Sequence, residues 1–189
     1  GGEKDINVSH ALEMVENAAQ ASSDIVVLPE TCDLGWTDNA ARTQAEAVPL
    51  GYPAISLCEA AKHHGVFICA GVTEKDVGQV FNTAVLIGPE GDILLKHRKI
   101  YELDIAHDLY GLGQSLNVVQ TPVGTIGIMT CADGFARGQA IARTLGYMGA
   151  DIILSPCAWA VPAEHENEKE PYGDLWRENF IPVAKDFSI

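Results

Sequence analysis

The stretch Thr121-Pro122-Val123-Gly124-Thr125-Ile126-Gly127-Ile128-Met129-Thr130-Cys131-Ala132-Asp133-Gly134 sets the fold class. Pro122-Val123-Gly124 reads as a turn, because proline presets one backbone angle and glycine reaches conformations closed to other residues. Asn117–Gln120 before it and Thr125–Thr130 after it are then the two arms of a hairpin. The second arm stops on Cys131. Small residues behind it, Ala132-Asp133-Gly134, allow a sharp strand-to-helix turn that exposes the sulfur and leaves backbone N–H groups free. A helix follows from about Arg137 to Met148, with Ile141, Leu145 and Met148 on one face and Gly149 at its end. Asp151-Ile152-Ile153-Leu154-Ser155 is a further strand, halted by Pro156.

The same grammar runs upstream. Val8, Leu12, Val15 and Ala19 fall on one helical face, which predicts a helix over residues 7–22 behind Asn7. The apolar run Ile25-Val26-Val27-Leu28, stopped by Pro29, predicts a strand buried on both faces. Gly51 to His64 predicts a second helix ended by Gly65, and Val66–Val72 another buried strand. Val80–Ile87 and Ile93–Arg98 flank the turn Gly88-Pro89-Glu90-Gly91-Asp92, a second hairpin. Residues 100–116 form a loop, 163–174 an acidic loop, and about 175–187 a final helix. Helices alternating with strands, broken by two hairpins, predict one α/β domain over residues 1–189 with a mixed sheet. The chain opens without a strand and stops on the apolar ending Asp186-Phe187-Ser188-Ile189, so the expectation is a fragment of a longer domain.

Composition narrows the partners. Of 189 residues, 26 are acidic and 12 basic, giving a net charge of −14 that repels phosphate backbones and anionic lipid. Neither a nucleic-acid nor a membrane role is expected, and no apolar run approaches the roughly 20 residues of a membrane span. Five cysteines, an odd number without a CxxC pair, fit free thiols in a reducing, cytoplasmic compartment. His63-His64 lies near Cys58 and Cys69, but adjacent helical histidines point to different faces, so no metal site is expected.

Reactive side chains gather past the carboxyl ends of strands in α/β folds. Glu30, Lys99 and Cys131 each follow a predicted strand. A nearby ammonium lowers a thiol pKa and stabilises an oxyanion; a carboxylate relays protons; the thiolate attacks. Each residue also has a plainer reading. Cys131 could be one more buried thiol, Lys99 part of a solvated Lys96-His97-Arg98-Lys99 face, and Glu30 a turn cap.

Four segments carry a resemblance. Asp24-Ile25-Val26-Val27-Leu28-Pro29-Glu30-Thr31, Gly91–Ile100 around Lys99, Thr121–Asp133 around Cys131, and Gly149-Ala150-Asp151-Ile152-Ile153-Leu154-Ser155-Pro156 resemble, in order, segments of the nitrilase or carbon–nitrogen hydrolase superfamily. The resemblance implies a four-layer α-β-β-α sandwich, here truncated, normally dimeric or larger, with no metal or organic cofactor. It implies Glu30 as general base and acid, Lys99 as oxyanion stabiliser, Cys131 as nucleophile and the Ala132 N–H as a second oxyanion donor. The implied reaction is hydrolysis of a small amide, carbamoyl compound or nitrile by water through a thioester, or acyl transfer to another acceptor. Cys131-Ala132-Asp133 is similar to the C-x-D of amidases, which favours amide over nitrile. Many members carry a second glutamate after the lysine. An ungapped count reaches His107 beside Asp108, and Glu102 is the nearby alternative. Cys157 and Trp159 are expected in the pocket wall, and the acidic loop either lies in solvent or covers the pocket as a lid. The alternative of another class is a non-catalytic module of the same fold that binds a metabolite or partner.

Overall fold

Alternation along the central strands sends apolar side chains to both faces, and the layering follows from it. The computed structural model describes residues 1–189. In chain order the first elements are α1 (Lys4–Gln20), β1 (Ile25–Val27), a short α2 (Ala41–Gln44) and α3 (Tyr52–His64). Strands β2 (Phe67–Asp76), β3 (Gln79–Ile87), β4 (Ile93–Arg98), β5 (Val118–Thr121) and β6 (Gly124–Ile128) come next. Then come α4 (Ala140–Tyr147), β7 (Ile152–Leu154) and α5 (Gly173–Phe187). On β2 and β3, Ile68, Ala70, Val72, Val85 and Ile87 pack under Ala11 and Val15 of α1 and Leu57 and Ala61 of α3. Their alternates Phe67, Cys69, Ala84 and Leu86 meet Ile126 and Ile128 of β6. The outer face of that second sheet is covered by Ile141, Ala142 and Leu145 of α4 and Val183 of α5. The result is an α-β-β-α sandwich.

Two sheets replace the single mixed sheet that alternation suggested. One runs β1-β2-β3-β4, with β1 parallel to β2 and the rest antiparallel; the other runs β5-β6-β7, with β6 parallel to β7. Strands apolar on both faces require two covers, and the sequence does not say whether helices or a second sheet supply each one. Strand β1 is also not buried on both faces: it is an edge strand, and Val27 is exposed. The helix expected from Arg137 starts at Ala140, because Gly138 and Gln139 take left-handed angles (φ +68° and +51°) that break the turn. The helix expected from Asn7 starts three residues earlier, at Lys4. The acidic stretch 163–172 carries turns and is largely exposed.

Candidate active site

Three chain segments converge where they leave strands of the two sheets. Glu30 follows β1, held by backbone bonds to β2: the Leu28 N–H donates to Cys69, the Gly71 N–H to Pro29, and the Cys32 N–H to Gly71. Gly71 is required there. A Cβ on it would sit 2.5 Å from the Glu30 Cα and 2.7 Å from the Thr31 nitrogen. Thr31 itself is left-handed (φ +45°), and the carboxylate of Asp33 accepts from the Thr73 N–H and hydroxyl to hold the bend. Lys99 follows β4, and Cys131 follows β6 with φ +43°, an uncommon angle for a residue with a Cβ. That angle lets the chain turn at Cys131 into a 3-10 turn over Cys131–Phe135. The Cys131 N–H donates to Pro156, whereas the Ala132 N–H makes no hydrogen bond within the protein.

The structure brings Glu30, Lys99 and Cys131 together and adds Glu102. Lys99 is 1% exposed, so the solvated reading of the basic run does not hold for it. Its ammonium lies 2.7 Å from Glu30 Oε1 and 2.8 Å from Glu102 Oε1, with the Trp36 ring 5.3 Å away. Asn82 Nδ2 of β3 donates to Glu30 Oε1 at 2.6 Å and to Glu102 Oε2 at 3.2 Å. The Ala158 N–H donates to Glu30 Oε2 at 3.1 Å. Burial alone would lower the Lys99 ammonium pKa, but the two carboxylates overcome it and raise the value, so the lysine is a cation here.

Cys131 Sγ lies 3.1 Å from Cys157 Sγ. That contact pushes the Cys131 thiol up, with burial and the Glu30 charge adding to it and Lys99 opposing. The same contact pulls Cys157 down. The two sulfurs share a proton: the first ionisation of the pair is eased and the second is opposed. Burial pushes Cys32, Cys69 and Cys58 up, so those three are packing thiols. All five cysteines are free.

Asp133 joins the lysine segment to the cysteine turn. It is fully buried; Oδ1 accepts from the Ile100 and Tyr101 N–H groups at 3.0 and 2.7 Å. Oδ2 accepts from the Thr130 N–H at 2.9 Å and from His97 Nε2 at 2.7 Å. One carboxylate thus fixes the position of Lys99 relative to Cys131. Sequence reasoning passed over Asp133, His97 and Asn82 as site residues. Asn82 did carry a signal, an amide in the middle of the apolar Val80–Ile87 run.

Other expected residues lie outside the cluster. His107 and Asp108 are exposed, and the His107 ring meets the Glu102 backbone carbonyl at 2.9 Å and Asp104 Oδ1 at 3.8 Å. His107 and Asp108 thus lie away from Lys99, whereas Glu102, three residues past it, brings its carboxylate to 2.8 Å from the ammonium. Trp159 is 39% exposed and packs with Phe135, Tyr172 and Trp176, not against Glu30 or Lys99. Cys157, expected in the pocket wall, is the direct neighbour of Cys131. The His63 and His64 rings pack edge to face, with centroids 4.7 Å apart.

A family model described as carbon-nitrogen hydrolase matches residues 2–177. The chain belongs to the carbon-nitrogen hydrolase family. An omega-amidase, NIT2, from Xenopus tropicalis is 30% identical over 166 residues, covering 82% of this chain and 59% of that protein. A protein named nitrilase from Pyrococcus abyssi is 33% identical over 164 residues, covering 85% and 62%. The chain thus spans about three fifths of the length of these relatives. Among solved structures, an amidase from Nesterenkonia sp. AN1 with acrylamide added at its active-site cysteine superimposes with a TM-score of 0.84 at 15% identity. That match covers 99% of this chain and 70% of the amidase. A carbon-nitrogen hydrolase from Helicobacter pylori matches with a TM-score of 0.77 at 24% identity, covering 97% and 66%. These likenesses give the carbon-nitrogen hydrolase chain its fold, the nitrilase-type sandwich. None of its helices is long and apolar enough to cross a membrane.

Proposed function

We propose that this carbon-nitrogen hydrolase chain cleaves small amides through a Cys131 thioester, with Glu30, Lys99 and Glu102 completing the site. The observation that carries the reading is the buried Lys99 ammonium, bracketed by Glu30 and Glu102 next to the Cys131 turn. The Cys131 thiol attacks the amide carbon as its proton passes to Glu30. The developing oxyanion lies between the Lys99 ammonium and the unpaired Ala132 N–H. Glu30 returns the proton to the departing ammonia or amine, then takes one from water as it attacks the thioester and releases the acid. Glu102 holds the lysine, while Asp133 holds its segment against the cysteine turn. Amidase names among the relatives, and acrylamide captured by the active-site cysteine of the Nesterenkonia amidase, favour amide over nitrile. The acyl acceptor is water, and the assembly is a homodimer or larger, read by light scattering.

The competing class is a binding module without turnover. Cys131→Ala separates them in an ammonia-release assay over small amides, carbamoyl compounds and nitriles. The hydrolase reading expects turnover by the parent chain and none by the variant. Equal ammonia release from both would remove Cys131 from the mechanism.

A further inference from the structure

Strands β6 and β7 pair in parallel with Ile126 opposite Ile152, Gly127 opposite Ile153 and Ile128 opposite Leu154. The pairing persists beyond the strands, since the Met129 N–H donates to Leu154 and the Cys131 N–H to Pro156. The same 26-residue offset sets Cys131 opposite Cys157, with their sulfurs 3.1 Å apart. A disulfide bond is about 2.05 Å, so the two sulfurs need approach by only about 1 Å. Both segments are held by backbone bonds, and Cys157 is half-buried and open towards solvent. The other three thiols have no such neighbour.

We propose that Cys157 is the resolving cysteine for Cys131, closing it into a reversible disulfide after oxidation by hydrogen peroxide. The Cys131 thiolate attacks the O–O bond; a sulfur–oxygen bond forms, the O–O bond breaks, and water leaves after taking up a proton. Cys157 then attacks the Cys131 sulfenic sulfur. The S–S bond forms, the S–O bond breaks, and hydroxide leaves as a second water with the Cys157 proton. Two electrons pass from the sulfur pair to the peroxide, and a dithiol returns them by exchange. The disulfide stops amide cleavage but keeps the nucleophile from the irreversible sulfinic state. The proposal rests on the reading of Cys131 as the reactive thiol.

The experiment treats the protein with hydrogen peroxide, alkylates it, and maps non-reduced peptides by mass spectrometry beside the ammonia-release assay. The expected result is a linked Cys131–Cys157 peptide lighter by two hydrogens, formed as activity falls and lost as dithiothreitol restores it. Cys157→Ala, scored against its own untreated rate, is expected to lose activity that dithiothreitol does not restore, with Cys131 recovered as sulfinic acid. Cys58→Ala should behave as the parent chain. A sulfinic Cys131 in the parent chain, with no linked peptide, would overturn the proposal. The peptide map needs no turnover, so the two readings separate. A linked peptide in a chain that cleaves no amide upholds the pair and removes the hydrolase; turnover without the linked peptide does the reverse.

Discussion

The basic run at the end of β4 faces two ways, and its two faces use the same chemistry for opposite ends. Lys96 and Arg98 turn to one carboxylate, Glu74, which accepts from both and from the Thr83 hydroxyl. Arg98 also pairs with exposed Asp76 and lies over the Phe81 ring, 3.8 Å from its centroid. His97 and Lys99 turn the other way, to Asp133 and to the pair Glu30 and Glu102. In the first cluster cations outnumber the central anion and open to solvent, which is ion pairing at an edge. In the second, the ammonium is sealed between two carboxylates, and a thiol sits beside it.

Lys99→Ala should break this contrast hardest. It leaves two buried carboxylates without their cation, at a cost of about 3–5 kcal/mol. On the proposed mechanism it also removes an oxyanion donor, which typically costs about 10²–10³-fold in rate. Paired urea melts and kcat/KM values should show both losses. A variant as stable as the parent chain would mean that Glu30 and Glu102 do not depend on that ammonium.

Arg98→Ala should move only stability. Glu74 keeps Lys96 and Thr83 but loses its two arginine bonds, worth about 1–3 kcal/mol. The melting point should fall by about 2–4 °C for each kcal/mol, with the turnover rate near that of the parent. Comparable losses of rate from Arg98→Ala and Lys99→Ala would dissolve the division of β4 into two roles.

The acid limb of stability sharpens the same division. Burial would raise Glu74, but Arg98 and then Lys96 hold it down to about 2 from an ordinary 4.5. A depressed folded value means that the stabilisation is fully present above the ordinary value and is lost as pH falls from 4.5 through about 2. Glu74→Gln should remove that limb from the pH–stability curve and lower the plateau at neutral pH. An unchanged acid limb would place the titrating group elsewhere.

The division was half legible in the chain. Period-two alternation puts Lys96 and Arg98 on one face and His97 and Lys99 on the other, and strand ends marked Glu30, Lys99 and Cys131 as reactive positions. Partners were not legible, because they arrive across long separations. Asp133 meets His97 only when two sheets stack, and Asn82 reaches Glu30 only through antiparallel pairing. Counting along the loop reaches His107, which is exposed, whereas the carboxylate that meets Lys99 from this loop is Glu102. The register that joins Cys131 to Cys157 was visible as two strands each ending near a cysteine, but parallel pairing had to be known to read it.

Lys96→Ala carries the smallest expected effect and tests how far the solvent-facing cluster is ordinary surface pairing. Its ammonium is 39% exposed and meets Glu74 at 2.7 Å, while Arg98 covers the other side of that carboxylate. Exposed pairs contribute about 0.2–1 kcal/mol and fade as salt shortens the screening length. The variant should therefore melt within about 1 kcal/mol of the parent at low salt and converge on it at high salt. The Arg98→Ala deficit should persist at high salt, because its two bonds go to a carboxylate buried beneath them. If Lys96→Ala were as costly as Arg98→Ala and equally indifferent to salt, Glu74 would need both cations for its burial. The two faces of β4 would then differ in which residues they hold but not in how tightly charge is balanced.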